Sequence, residues 1–182
     1  MLKSISGLLI FISVVFVAAE LRAKTHKFPL ASFDNTGCQS KARSQDCPNK
    51  VMAEILMKGK DSIPILISQL TDSEQTKKPI EAQWSYTESG DVAYIVLISL
   101  FTTPKGDFNL PDVPTWKNVI RGCNTSVEGC WREYLRKHGR EQVQRAWLNA
   151  WKLHKDQISW DPKEKCFRLA GVATGRSNSR KK

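Results

Sequence analysis

The sequence predicts a mostly α-helical fold of short helical hairpins stapled by disulfides. Three observations carry that expectation. Apolar residues recur at spacings of three and four in several segments, which is the period of an amphipathic helix. Gly, Pro and Asp, residues that stop and start helices, fall between those segments. Five cysteines lie downstream of an apparent export signal, and an oxidising compartment makes disulfides their default state.

Residues 1–19 read as a signal peptide. Lys3 supplies a short positive head, Ile5 to Ala19 form an apolar run broken only by Ser6, Gly7 and Ser13, and Val17-Ala18-Ala19 suits cleavage after Ala19. The run is about 15 residues against the roughly 20 needed to span a bilayer, which argues against a retained anchor. An exported protein, periplasmic or extracellular, is therefore expected. The cysteines are Cys38, Cys47, Cys123, Cys130 and Cys166, an odd number, so one is left over from pairing within the chain. Short loops favour Cys38 with Cys47 and Cys123 with Cys130, and a Cys130 to Cys166 bridge is the alternative. No Cys-x2-Cys spacing is found, and the sequence implies no metal and no cofactor.

Residues 20–45 are polar and aperiodic, an N-terminal arm before a single helical domain over 46–170. Asp46-Cys47-Pro48 has the residues of a helix start. Val51, Met52, Ile55 and Leu56 then make an apolar stripe that Gly59 terminates. Asp61 is placed to cap a second helix with Pro64 in its first turn and Ile63, Leu66, Ile67 and Leu70 on one face. This stretch, VMAEILMKGKDSIPILISQLTD over 51–72, resembles one unit of a HEAT-type helical repeat. The resemblance continues at residues 90–101, with Ser73 to Ser89 as an insertion. It implies stacked helical hairpins that offer a binding surface, and no particular chemistry.

Val92 to Phe101 is apolar nearly all round, which suits a buried helix or a central strand. Helix is favoured, because Ser89 or Asp91 can cap it and no neighbouring segment supplies strand partners. Thr102 to Thr115, with three prolines, is a loop, and Thr115 caps a short helix through Ile120. Gly122 to Cys130 reads as a stapled loop. The last helical stretch follows, broken at Gly139, with Val143, Trp147, Ala150, Trp151, His154 and Ile158 along one side. Trp160-Asp161-Pro162 marks a turn, Cys166-Phe167 pins the end to the body, and residues 171–182 form a basic tail expected to be disordered.

Charge is uneven along the chain. Residues 24–117 hold 11 Lys and Arg against 11 Asp and Glu, whereas residues 118–182 hold 15 against 6. The excess is sharpest at Arg132, Arg136, Lys137 and Arg140, with Glu133 the single acid among them. That cluster is the candidate binding site, suited to an acidic protein or an envelope polyanion, with a merely solvated helix face as the bland alternative. Nucleic acid is disfavoured, since Trp131, Tyr134, Trp147 and Trp151 share the apolar helix face and no nucleic-acid-binding motif is visible. No catalytic motif surrounds His26, His138 or His154, although Cys166 with His154 could supply a thiol and a base. The runner-up function is an envelope hydrolase acting on an acidic or glycan polymer, with Glu128, Glu133, Asp156 and Glu164 as its candidate carboxylates.

Overall fold

The structure, a computed structural model, describes residues 26–34, 49–80 and 84–170. The expected signal peptide, Cys38, Cys47, the expected helix start at 46–48 and the tail from 171 lie outside the described residues.

The first helix, α1, spans Lys50–Lys58. Its cap is Asn49, whose side chain accepts from the N–H groups of Val51 at 2.7 Å and Met52 at 3.3 Å. Gly59 ends it with φ of +55°, a conformation that a Cβ disfavours. One 3-10 turn, Gly59–Asp61, leads straight into α2, Ser62–Ser68. The expected Asp61 cap is not formed, because the backbone never leaves helical angles there; instead the Ser62 hydroxyl donates to the Gly59 carbonyl at 2.6 Å. α2 buries Ile63, Leu66 and Ile67, and the 3-10 turn Gln69–Thr71 buries Leu70.

The apolar run is a helix, as favoured. This α3, Ser89–Leu100, buries ten of its twelve residues, which makes it the central element. Its cap is Glu88, in a reciprocal box with Asp91, in place of Ser89 or Asp91 as cap residue. Residues 26–34, expected to be part of an N-terminal arm, pack onto α3. Phe28, Leu30 and Phe33 are each no more than 2 % exposed. The Gln69 side chain accepts from the Phe28 N–H at 3.0 Å and donates to its carbonyl at 2.9 Å, so the amide satisfies both backbone groups of a buried segment. The stretch read as an insertion folds back on itself, the Thr76 N–H donating to the Thr87 carbonyl at 3.0 Å.

Thr115 caps α4, Trp116–Val119, through a box with Asn118. Ser126 caps α5, Val127–His138, and Gly139 with φ of +78° turns the chain into α6, Arg140–His154. Of the tryptophans expected in the core, Trp131 and Trp147 are fully buried and Trp151 is half-buried against it, with Tyr94 stacked on Trp131 at 4.2 Å and Phe101 set between Trp147 and Phe167. Burial pushes the Tyr94 hydroxyl far above its ordinary pKa, so it stays a donor, to the Pro114 carbonyl at 3.1 Å.

The end of the chain departs from expectation. α6 stops at His154, and Ile158 opens a strand, β1, Ile158–Asp161, paired antiparallel with β2, Cys166–Leu169. The residues read as a turn are the last of β1 and the start of the connection. The Asp161 carboxylate closes that connection by accepting from the N–H groups of Lys163 and Glu164. The Glu164 N–H, then the Arg168 guanidinium, hold its pKa below the usual carboxylate value. Cys166 and Phe167 are buried, with β2 packed against α3, so the chain end is pinned as expected.

Cys123 and Cys130 are bridged, with Sγ atoms 2.08 Å apart, which sets aside the Cys130 to Cys166 alternative. The bridge ties the loop after α4 to the first turns of α5. Closing so short a loop stabilises by about 2.5 kcal/mol on chain-entropy grounds. Reduction is therefore expected to lower the urea midpoint by that order of free energy while the far-ultraviolet helix signal persists at low denaturant. An unchanged midpoint would show the bridge to be energetically neutral.

Candidate functional site

Four cations were expected to form one exposed cluster. The structure divides them by what each one meets: Arg132 and Arg136, four residues apart, share a side of α5, but only Arg132, like Arg140 at the start of α6, lies within reach of Asp91. Arg136 and Lys137 are exposed, while Arg132 and Arg140 turn inward to the N-terminal end of α3.

Their partner is Asp91, whose side chain is completely buried. One carboxylate oxygen accepts from the Arg140 guanidinium at 2.7 Å and from Trp131 Nε1 at 2.8 Å. The other accepts from the Glu88 N–H at 2.8 Å and faces Arg132 at 3.0 Å. Arg140 also pairs with the Glu88 carboxylate, which in turn accepts from the Tyr86 hydroxyl at 2.9 Å. That hydrogen bond raises the Tyr86 pKa. Arg132 donates to the Tyr86 carbonyl at 2.7 Å and lies 5.1 Å from the Tyr86 ring centroid and 5.7 Å from that of Trp84. Two acids and two arginines thus balance in one network joining α3, α5 and α6. Its charges are consumed internally, so Arg132 and Arg140 hold the fold together and present little to a partner. The sequence reading missed Glu88 and Asp91 here, since only a fold can bring Asp91 beside residues 40 and 49 positions away.

What remains exposed is a cationic face on α4 and α5. Lys117, Arg121, Arg136 and Lys137 are exposed, and none of the four makes an ion pair among the described residues. Arg136, Lys137 and His138 occupy the last turn of α5, where they also offset the negative end of the helix dipole. α4 and α5 pack together, so the loop after α4 brings Arg121 to the α5 side. Arg121 and Lys137 line a cleft of about 150 Å³ with His138, Tyr134 and Glu133, walled by the Cys123–Cys130 bridge. Arg121 was not singled out in the sequence because it stands alone among uncharged neighbours.

A larger cleft, about 690 Å³, opens on the other side of α4 between the end of α3 and the turn at residues 103–108, with Lys105, Asp107, Lys117 and Trp116 in its walls. A third, about 350 Å³, lies along the β1–β2 ribbon beside Trp160, Asp161 and Arg168. Each of these three clefts carries a single carboxylate, Glu133, Asp107 and Asp161 respectively. The four carboxylates considered for hydrolysis are not gathered in any of them. Glu128 accepts from the N–H groups of Ser85 and Tyr86, Glu133 lines the small cleft, Asp156 sits in the turn after α6, and Glu164 lies in the β connection.

The histidines separate similarly. His26 pairs with Glu54 at 2.6 Å, and His138 packs against the Tyr134 ring. Both ring nitrogens of His154 are buried and make no hydrogen bond among the described residues, so no hydrogen bond joins His154 to Cys166 as thiol and base. Cys166 is itself buried, with the Asn109 amide 3.7 Å from its sulfur. Among the described residues no group of three or more His, Cys, Asp or Glu is placed to hold a metal, and no helix is long and apolar enough to cross a membrane. Comparison of the chain with protein-family models, with curated proteins and with solved structures finds no match.

Proposed function

We propose that this chain is an exported helical interaction protein that binds an acidic protein through the face formed by α5 and the loop after α4, using Arg136 and Lys137 together with Arg121. The observation that carries this reading is the division of the cations. Arg132 and Arg140 have internal acids, whereas Arg121, Arg136 and Lys137 are exposed and make no ion pair among the described residues. A surface on which cations outnumber acids, here with Glu133 the acid in the cleft wall, attracts acidic partners and orients them on approach. The HEAT-type resemblance of residues 51–72 supports the same reading, since stacked hairpins serve as binding scaffolds. The signal-peptide pattern of residues 1–19 supports a partner outside the cytoplasm.

Poly-glutamate is a suitable first probe, read by fluorescence anisotropy. Binding is expected to weaken steeply between 0.05 and 0.5 M salt, because the screening length falls from above about 10 Å toward 3 Å over such a range. The double reversal Arg136→Glu with Lys137→Glu is expected to weaken it at least tenfold and to cost about 1–2 kcal/mol of stability, because both positions lie in the last turn of α5, where acids oppose the helix dipole. Equal binding by wild type and reversal would reduce the face to solvated charge, and a collapsed melting temperature would make these residues structural.

A further inference from the structure

We infer that the small cleft between residues 118–123 and α5 is a binding site for a phosphate group, with Arg121 and Lys137 as its cationic walls. The inference deepens the reading of the α4–α5 face as anion-binding, on which it rests, by naming the group recognised.

The donors come from two chain segments and converge on one space. Arg121 offers a planar fork, Lys137 a compact ammonium, Asn118 an amide and Tyr134 a hydroxyl. Burial raises the Tyr134 pKa, so its hydroxyl is a donor at neutral pH. A carboxylate has two oxygens in one plane, whereas a tetrahedral phosphate presents three or four in different directions and can engage donors arriving from several walls. Size agrees with this choice. The cleft, about 150 Å³ and open to solvent, has room for a phosphate group.

Two further features favour an anion here. Glu133 is the only acid in the walls, and although it precedes Lys137 by one helical turn, the two make no ion pair among the described residues, so Lys137 keeps its charge available. The Cys123–Cys130 bridge ties the backbone of the loop wall to α5, which keeps Arg121 on the α5 side.

The test is a titration of the full chain with sodium phosphate and, separately, sodium acetate at matched ionic strength, followed by amide shifts in two-dimensional NMR spectra. Phosphate is expected to shift amides of residues 118–123 and 133–138 saturably, with an affinity at least tenfold above that of acetate. Arg121→Ala should lower the phosphate affinity at least tenfold while amides elsewhere stay in place. A parallel arm with glycerol phosphate distinguishes a phosphate carried on a larger molecule, which would bind more tightly than the free ion, from inorganic phosphate itself. Equal shifts by acetate, shifts that do not saturate, or phosphate binding unaltered in Arg121→Ala would overturn the inference. If poly-glutamate still binds in that case, the inference alone falls; if neither probe binds, the reading of the whole face falls with it.

Discussion

Replacing Asp91 with alanine is expected to cost about 4 kcal/mol of folding stability, within the ~3–5 kcal/mol typical of breaking a buried ion pair from one side. The carboxylate is fully buried and accepts from Trp131, Arg140 and the Glu88 backbone while facing Arg132. Its removal leaves the Trp131 Nε1–H without an acceptor, and Arg132 facing the space it occupied. Arg140 keeps Glu88, which limits the damage on that side. Asp91→Asn tests charge apart from shape: it retains one acceptor oxygen but turns an amide donor toward an arginine, so a loss nearly as large is expected. Urea unfolding of wild type and both variants measures the effect. A change below about 1 kcal/mol would mean that water replaces the carboxylate without penalty, and the network would then be no organiser of the fold.

That network explains where sequence reasoning succeeded and where it stopped. The helices were legible because their signals are local. Gly59 and Gly139 end helices where expected, the Trp147 stripe faces the core, and Thr115 caps a short helix. The β ribbon was not legible, since two strands of four residues carry too little alternation to outweigh the helical period running into Ile158. Residues 26–34 were read as an arm for a related reason. Phe28, Leu30 and Phe33 have no helical spacing, and their burial depends on Gln69, some forty positions later, supplying the hydrogen bonds of a strand partner. The cation cluster was visible as composition, but its division between internal network and exposed face depends on Asp91 lying across α5 and α6. A charged residue's neighbours in sequence do not reveal which cations have found a buried acid.

Gly90→Ala should also be strongly destabilising, by about 2–3 kcal/mol, the upper part of the range for overpacking a core. Helix propensity alone predicts the opposite sign, because alanine is favoured over glycine by ~0.8–1 kcal/mol in a helix interior. The reversal comes from close approach. A Cβ on Gly90 would sit 2.5 Å from the Leu70 carbonyl oxygen, 3.0 Å from that of Asp72 and 2.8 Å from a guanidinium nitrogen of Arg140. The first two are backbone atoms of the turn that follows α2, and the Asp72 oxygen already accepts the Gly90 N–H at 2.8 Å. A methyl group therefore has to push α3 away from that turn or displace Arg140 from Glu88 and Asp91, and either movement loosens the network. Gly59→Ala makes a useful comparison: nothing lies within 4 Å of its Cβ position, so any cost there comes only from its φ of +55°. If Gly90→Ala acts through Arg140, the double variant with Asp91→Ala should lose less than the two single losses added together, since residues sharing one network are not independent. Strict additivity would instead place the whole cost of Gly90→Ala in the packing of α3 against the turn at residues 70–72.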